Sequence, residues 1–142
     1  ANFPVTSGAF QTTYGGGSFD FHVTKLRPDL SAVVWATFIG GSNLDTGRGR
    51  LGVDGAGNVY LAGETQSNDF PLAAGQLRGT RDGVVVKLSA DGSQLLYARM
   101  IGGNEGSGAE GATGGLLVRS TGEAYVCGFS SAPAPGIFSA AP

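Results

Sequence analysis

Apolar residues along this chain fall in short runs, such as Val33-Val34-Trp35, Val59-Tyr60-Leu61 and Val84-Val85-Val86, bounded by Gly, Asp, Asn and Ser. No window sustains an apolar stripe at i, i+3, i+4 and i+7 without a glycine interrupting it, so helices are not expected. Runs rich in Val, Leu, Tyr and Phe between turn residues predict strands. Eight are read, at 21–26, 33–39, 50–53, 59–63, 84–88, 95–101, 116–119 and 124–128. Several runs are apolar at consecutive positions rather than alternating, which predicts sheets covered on both faces.

The pattern repeats. Lys25-Leu26 through Ile39-Gly40-Gly41 returns as Lys87-Leu88 through Ile101-Gly102-Gly103, an offset of 87 − 25 = 62. The stretch 54–63 returns as 119–128, an offset of 65, and the three added residues fall in the loop 103–112. A repeat of this length describes a supersecondary unit that buries its faces only by stacking on copies of itself. Asp91-Gly92 marks a hairpin turn, Pro28-Asp29 stands at the equivalent place, and Asp54-Gly55-Ala56-Gly57-Asn58 is a further turn. The expected fold is all-β, with β-propeller blades of four antiparallel strands. A β-sandwich is the alternative.

Composition narrows the class. Charged residues make up 14% of the 142 residues, against roughly 25% in an average domain. The 26 glycines follow no collagen period and serve as turn residues. A net charge of −2 argues against nucleic acid as partner. No apolar run reaches transmembrane length, so no membrane insertion is expected. The stretch Ala1-Asn2-Phe3-Pro4 has neither the basic nor the apolar region of a signal peptide. A processed or excised fragment would read the same way. The single cysteine excludes an intrachain disulfide.

The elements Lys87–Tyr97 (Lys-Leu-x-x-Asp-Gly-Ser-x-Leu-x-Tyr), Ile39-Gly40-Gly41, Asp54–Gly63 and Asp69-Phe70-Pro71 resemble the seven-bladed β-propeller repeat family of bacterial extracellular proteins. Pro135-Gly136-Ile137-Phe138 fits the element that follows, and Ser7-Gly8-Ala9-Phe10 is a looser copy. The resemblance implies a secreted or cell-surface location and a role as a repeat module. It names no ligand. Seven blades need several times this length.

Lettered by repeat position, the strands run c-d, a-b-c-d, a-b. The single domain 1–142 is then a half blade over about 1–41, a full blade over about 42–103 and a half blade over about 104–142. Half blades leave unpaired edges that folded proteins cover. The expected partners are other copies of the chain or the rest of a larger propeller. Head-to-tail joining of copies gives a ring or, if it fails to close, a fibre. Adhesion or binding of a glycan or protein ligand is the accompanying functional expectation, with a fibre-forming subunit or an enzyme with a site at the propeller mouth as alternatives.

Chemistry-bearing residues are sparse. His22 aligns with Val84 and is expected as a partly buried structural imidazole, and Cys127 aligns with Ala62 as a small buried thiol. Trp35 and Tyr97 hold matching places and read as core. Asp29, Asp54 and Asp91 sit at turns, where a carboxylate bonds its own backbone. No cofactor is expected, with calcium possible through loop oxygens. The candidate ligand-binding residues are Asp45, Arg48 and Arg50 in the loop after Gly40-Gly41, with Glu105 and Glu110 in the matching loop. Charged groups on loops of a rigid frame suit binding; the alternative is that they pair and join blades.

Overall fold

The computed structural model describes residues 3–71, 77, 79–102 and 110–131, with the backbone alone for 48, 49 and 110. Eight strands run in chain order: β1 (Phe21–Leu26), β2 (Val33–Ile39), β3 (Asp45–Val53), β4 (Val59–Thr65), β5 (Asp82–Leu88), β6 (Leu95–Ile101), β7 (Glu110–Val118) and β8 (Ala124–Ser130). Among the described residues there is no helix. The sheets are β1-β2, then β3-β4-β5-β6, then β7-β8, each antiparallel. A four-stranded meander in sequence order is the form of a blade rather than of a Greek-key sandwich. The fold class is the all-β one expected, with described sheets of two, four and two antiparallel strands.

Strands β3 and β7 begin earlier than the apolar pattern indicates, at Asp45 and Glu110. Each carries a register shift, between Thr46 and Arg50 in β3 and between Gly111 and Gly115 in β7. The two irregularities lie 65 residues apart. A bulge with unpaired residues hides a strand from a period-two reading.

Two joints stack the sheets. In the first, Phe21, Val23, Trp35 and Ile39 of β1-β2 pack on Val59, Leu61, Val84, Val86, Leu88 and Leu95 of the central sheet. Each such fully buried side chain stabilises by about 1.5–3 kcal/mol. The Phe21 ring fills a hollow left by two glycines: a methyl group on Gly63 would lie 2.5 Å from the ring and one on Gly47 3.1 Å from it. At the outer end the Trp35 indole N–H donates to the Ala90 carbonyl (3.1 Å). The turn glycine Gly92 (φ 72°) lies flat on the Trp35 ring, where a methyl group would approach to 2.5 Å.

In the second joint, Ala62 and Val85 of the central sheet meet Ala112, Leu116 and Val126 of β7-β8. Gly83 holds the place of Phe21, and the corresponding hollow is filled by Ala112, whose amide nitrogen would lie 3.0 Å from a methyl group at Gly83. Val118 reaches over Gly52, and the Tyr60 hydroxyl donates to the Gly122 carbonyl (3.0 Å).

Part of the outer surface is apolar and exposed. Leu117, Tyr125 and Phe129 line the far face of β7-β8 and are exposed. Leu51 and Val53 of β3 are exposed beside the first joint, where β1-β2 carries no a and b strands to cover them. Val84, Val85 and Val86 are buried on both faces, whereas Val33 and Val34 at the start of β2 are exposed.

Candidate functional site

The densest polar arrangement lies at the Gly40-Gly41 end of the first joint. Asp45 opens β3 and its side chain is fully buried. Its Oδ2 accepts from the Gly41 amide (2.7 Å) and the Ser67 hydroxyl (2.8 Å), and its Oδ1 accepts from the Thr65 hydroxyl (2.5 Å). The Ser67 amide donates in turn to Thr65 Oγ1, and the Asn43 amide donates to Ser67 Oγ. Asp69 accepts from the Ser42 amide (2.8 Å) and hydroxyl (3.0 Å). Asp20 accepts from the Gly15 amide (2.6 Å).

Burial pushes the Asp45 carboxyl above its ordinary range, outweighing the three donated bonds, and the Asp69 charge adds to the rise. Asp20 is also raised, by burial first and then by Asp45 and Asp69. Asp69 is lowered, chiefly by the Ser42 amide. The carboxylates are thus engaged in tying the loop 40–43 to the segment 65–69. Among the described residues no three His, Cys, Asp or Glu side chains stand close enough to hold a metal ion together.

Of the five sequence-predicted residues, Asp45 and Arg50 are the two whose side chains are described. Asp45 stands in a strand rather than a loop, because the β3 bulge extends that strand toward Gly41. Arg50 is exposed in β3 opposite Ala62 and forms no ion pair among the described residues. Arg48 lies within the bulge of β3 and Glu110 opens β7 with Ser130 opposite, their side chains lying outside the description. Glu105 lies outside the described residues. Asp45 and Glu110 occupy equivalent places in successive sheets.

Turn carboxylates behave as their spacing predicts. Asp29, Asp54 and Asp91 each accept from the backbone amide two residues on, at Ser31, Ala56 and Ser93. Two sequence readings are corrected. His22 is exposed, its ring set edge-on to Phe3 at 4.4 Å, and the partial desolvation of the ring lowers its pKa. Cys127 is exposed as well. The physical reason is common to both: their counterparts Val84 and Ala62 are buried by a neighbouring sheet, and among the described residues neither outer sheet has one on that side.

Two clusters in the central sheet were not singled out from the sequence. Lys87 Nζ lies 3.1 Å from Asp54 Oδ2 and 4.9 Å above the Tyr60 ring. Asp54 also accepts from the Asn58 backbone and side-chain amides, and these with Lys87 hold its carboxyl well below the usual range, Asn58 foremost. The repeated Lys-Leu and Asp-x-x-Gly-Asn-x-Tyr elements carry the signal for this cluster. The second is an ion pair between Arg81 and Glu64 at 2.9 Å, across the start of β5 and the end of β4.

A groove of about 540 Å³ runs along β8, lined mainly by Ala124 to Ser130 with Ile101, Gly111 and Ala112. It follows the edge of β8 that no strand pairs among the described residues, where the central sheet has β5 beside β4. In chemical terms the described residues offer a strand edge and exposed apolar side chains along β8.

Residues 34–71 match the family described as Beta-propeller repeat. No curated protein matches the chain. The matched stretch runs from β2 through the Gly40-Gly41 loop, β3 and β4 to Asp69-Phe70-Pro71, taking in Asp45 and its three donors but not Asp20. The four-stranded meander sheet agrees with this match of residues 34–71 to a beta-propeller repeat.

Proposed function

We propose that the chain is a noncatalytic β-propeller module of a secreted or cell-surface protein, acting through assembly. Its half sheets are completed by neighbouring repeat units, either other copies or the remainder of a larger propeller. The observation that carries this reading is the pair of two-stranded sheets at the two outer positions, whose β1 and β8 edges are paired by no other strand among the described residues. An unpaired edge beside an exposed apolar face is a template for a further strand. The completed ring would present its inner strands and loops to a protein or glycan ligand, and Arg50, exposed on β3, is a side chain such a ligand would meet.

Amide hydrogen exchange on the dilute, monomeric chain tests the reading. The β4–β5 amides are expected to exchange slowly and the outward amides of β1 and β8 quickly. Protection of β1 and β8 equal to that of β4–β5 in the monomer would overturn it.

A further inference from the structure

The repeat supplies a template for what covers β8. In the central sheet β4 pairs with β5 so that Tyr60 stands opposite Lys87, Ala62 opposite Val85 and Glu64 opposite Gly83. The offsets 60 + 65 = 125 and 87 − 25 = 62 transfer this register to β8 and β1. Tyr125 would then stand opposite Lys25, Cys127 opposite Val23, and Phe129 opposite Phe21.

One position departs from the template in a correlated way. Glu64 and Arg81, ion-paired in the central sheet, correspond to Phe129 and Phe19. These two aromatics are 50% and 64% exposed; Phe129 lies on β8 and Phe19 two residues ahead of β1. Either exchange alone would set an aromatic ring against a charge. Both together exchange an ion pair for an aromatic pair. Gly83, opposite Glu64, corresponds to Phe21, so Phe129 would lie between Phe19 and Phe21.

We propose that β8 of one molecule pairs antiparallel with β1 of a second copy in this register, with Phe129 packed between the second copy's Phe19 and Phe21. The proposal rests on the assembly reading above and names its occupant. A β5-like edge, carrying Arg and Gly at those places, lacks the apolar surface that Phe129 needs. Edge-to-face aromatic contacts stabilise beyond their area burial, and the paired strands satisfy the free edges.

The rest of the joint follows the molecule's own interfaces. Leu117 and Tyr125 are then covered by the second copy's β3-β4 face, where Leu51 and Val53 are exposed. Leu117 stands where Gly52 admits Val118, so the inner strands of this joint are spaced more widely than those of the second joint. Arg119 replaces Asp54 and already lies over the Tyr125 ring at 5.6 Å; Glu123, in the place of Asn58, supplies the carboxylate for Lys25. Because β8 and β1 are different surfaces, the contact is heterologous and propagates into a ring or a fibre.

Sedimentation velocity over a range of chain concentrations, with far-UV circular dichroism to confirm folding, tests the proposal on four chains. The wild type should associate. Phe129→Glu and Phe19→Arg, both at exposed positions, should each weaken association by about 100-fold, since each leaves a charge without a partner in a closed joint. The double variant Phe129→Glu/Phe19→Arg rebuilds the Glu64–Arg81 pair at the joint and should regain association. A wild-type chain that stays monomeric overturns the second copy as occupant and leaves the remainder of a larger propeller in that place. Association unchanged in both single variants overturns the joint while the assembly reading stands. Loss in the single variants with no recovery in the double variant overturns the register.

Discussion

Replacing Asp45 by Ala removes one acceptor that three donors share. The site is fully closed to water, so the donors cannot turn to solvent. The Gly41 amide is fixed in direction, whereas the Thr65 and Ser67 hydroxyls can rotate in part toward each other. A buried donor left unsatisfied costs about 1–3 kcal/mol; one fixed amide and two partly relieved hydroxyls give about 3–5 kcal/mol. That is a large share of the 5–15 kcal/mol typical of a domain. With a urea slope of about 2 kcal/mol/M, the unfolding midpoint should fall by about 1.5–2.5 M. Asp45→Asn should lose about half as much, because burial already presses the carboxyl toward its neutral form and an amide oxygen can still accept. Arg50→Ala, exposed and without an ion pair among the described residues, should stay within about 0.5 kcal/mol of the wild type. Equilibrium urea unfolding by tryptophan fluorescence at low chain concentration reads all three, since Trp35 is buried in the first joint. An Asp45→Ala midpoint within about 0.5 M of the wild type would refute the reasoning.

Gly92→Ala should destabilise by about 2–4 kcal/mol, combining a positive φ with a methyl group pressed on the Trp35 ring; a Tm within a degree of the wild type would contradict this. Trp35→Phe keeps most of the apolar burial but strands the Ala90 carbonyl, so a loss of about 1–3 kcal/mol is expected from thermal unfolding. The acid limb of stability should follow Asp54 and Asp91, the latter held at about 2 chiefly by the Ser89 hydroxyl and the Ser93 amide. Their folded values lie below the unfolded ones, so their stabilisation is complete above about pH 4 and is lost as pH falls through the folded values. Asp45 and Asp20, raised in the fold, act with the opposite sign: their contribution is present below the unfolded carboxylate range and is lost as pH rises through their folded values. Tm should therefore drop steeply below about pH 4, and Asp54→Asn should flatten that drop; an identical acid limb in the variant would count against the assignment. By NMR, His22 should titrate below the ordinary imidazole range, and Phe3→Ala should move it back up.

The strands bounded by strong turn chemistry were legible in the sequence. β1, β2 and β6 end where Pro28-Asp29 and the two Gly-Gly pairs halt the apolar runs. The first residues of β3 and β7 were not, since a bulge rich in glycine and polar residues breaks the alternation that marks a strand. Asp45 therefore read as a loop carboxylate open to ligands. His22 and Cys127 misled for a different reason. Their own strands match the buried copies, but burial is conferred by the next sheet in the stack, and local pattern does not contain that neighbour. The Glu64–Arg81 pair, to which Phe129 and Phe19 correspond, joins two segments 17 residues apart and is marked by no local pattern in either.

Phe21 seated in the Gly47–Gly63 hollow, against Gly83 facing Ala112, has a consequence for how such chains diversify. The two joints are keyed differently, one by a ring and two glycines, the other by a glycine and an alanine. Tandem duplication of the central sheet would set Gly83 of the first copy against Gly47 and Gly63 of the second, leaving a hole the size of a phenyl ring. A void of that kind costs several kcal/mol. Duplicated units would persist only with a matching change on the neighbouring sheet, so shuffling of repeats here is gated joint by joint, and the order of units along the chain is itself inherited information.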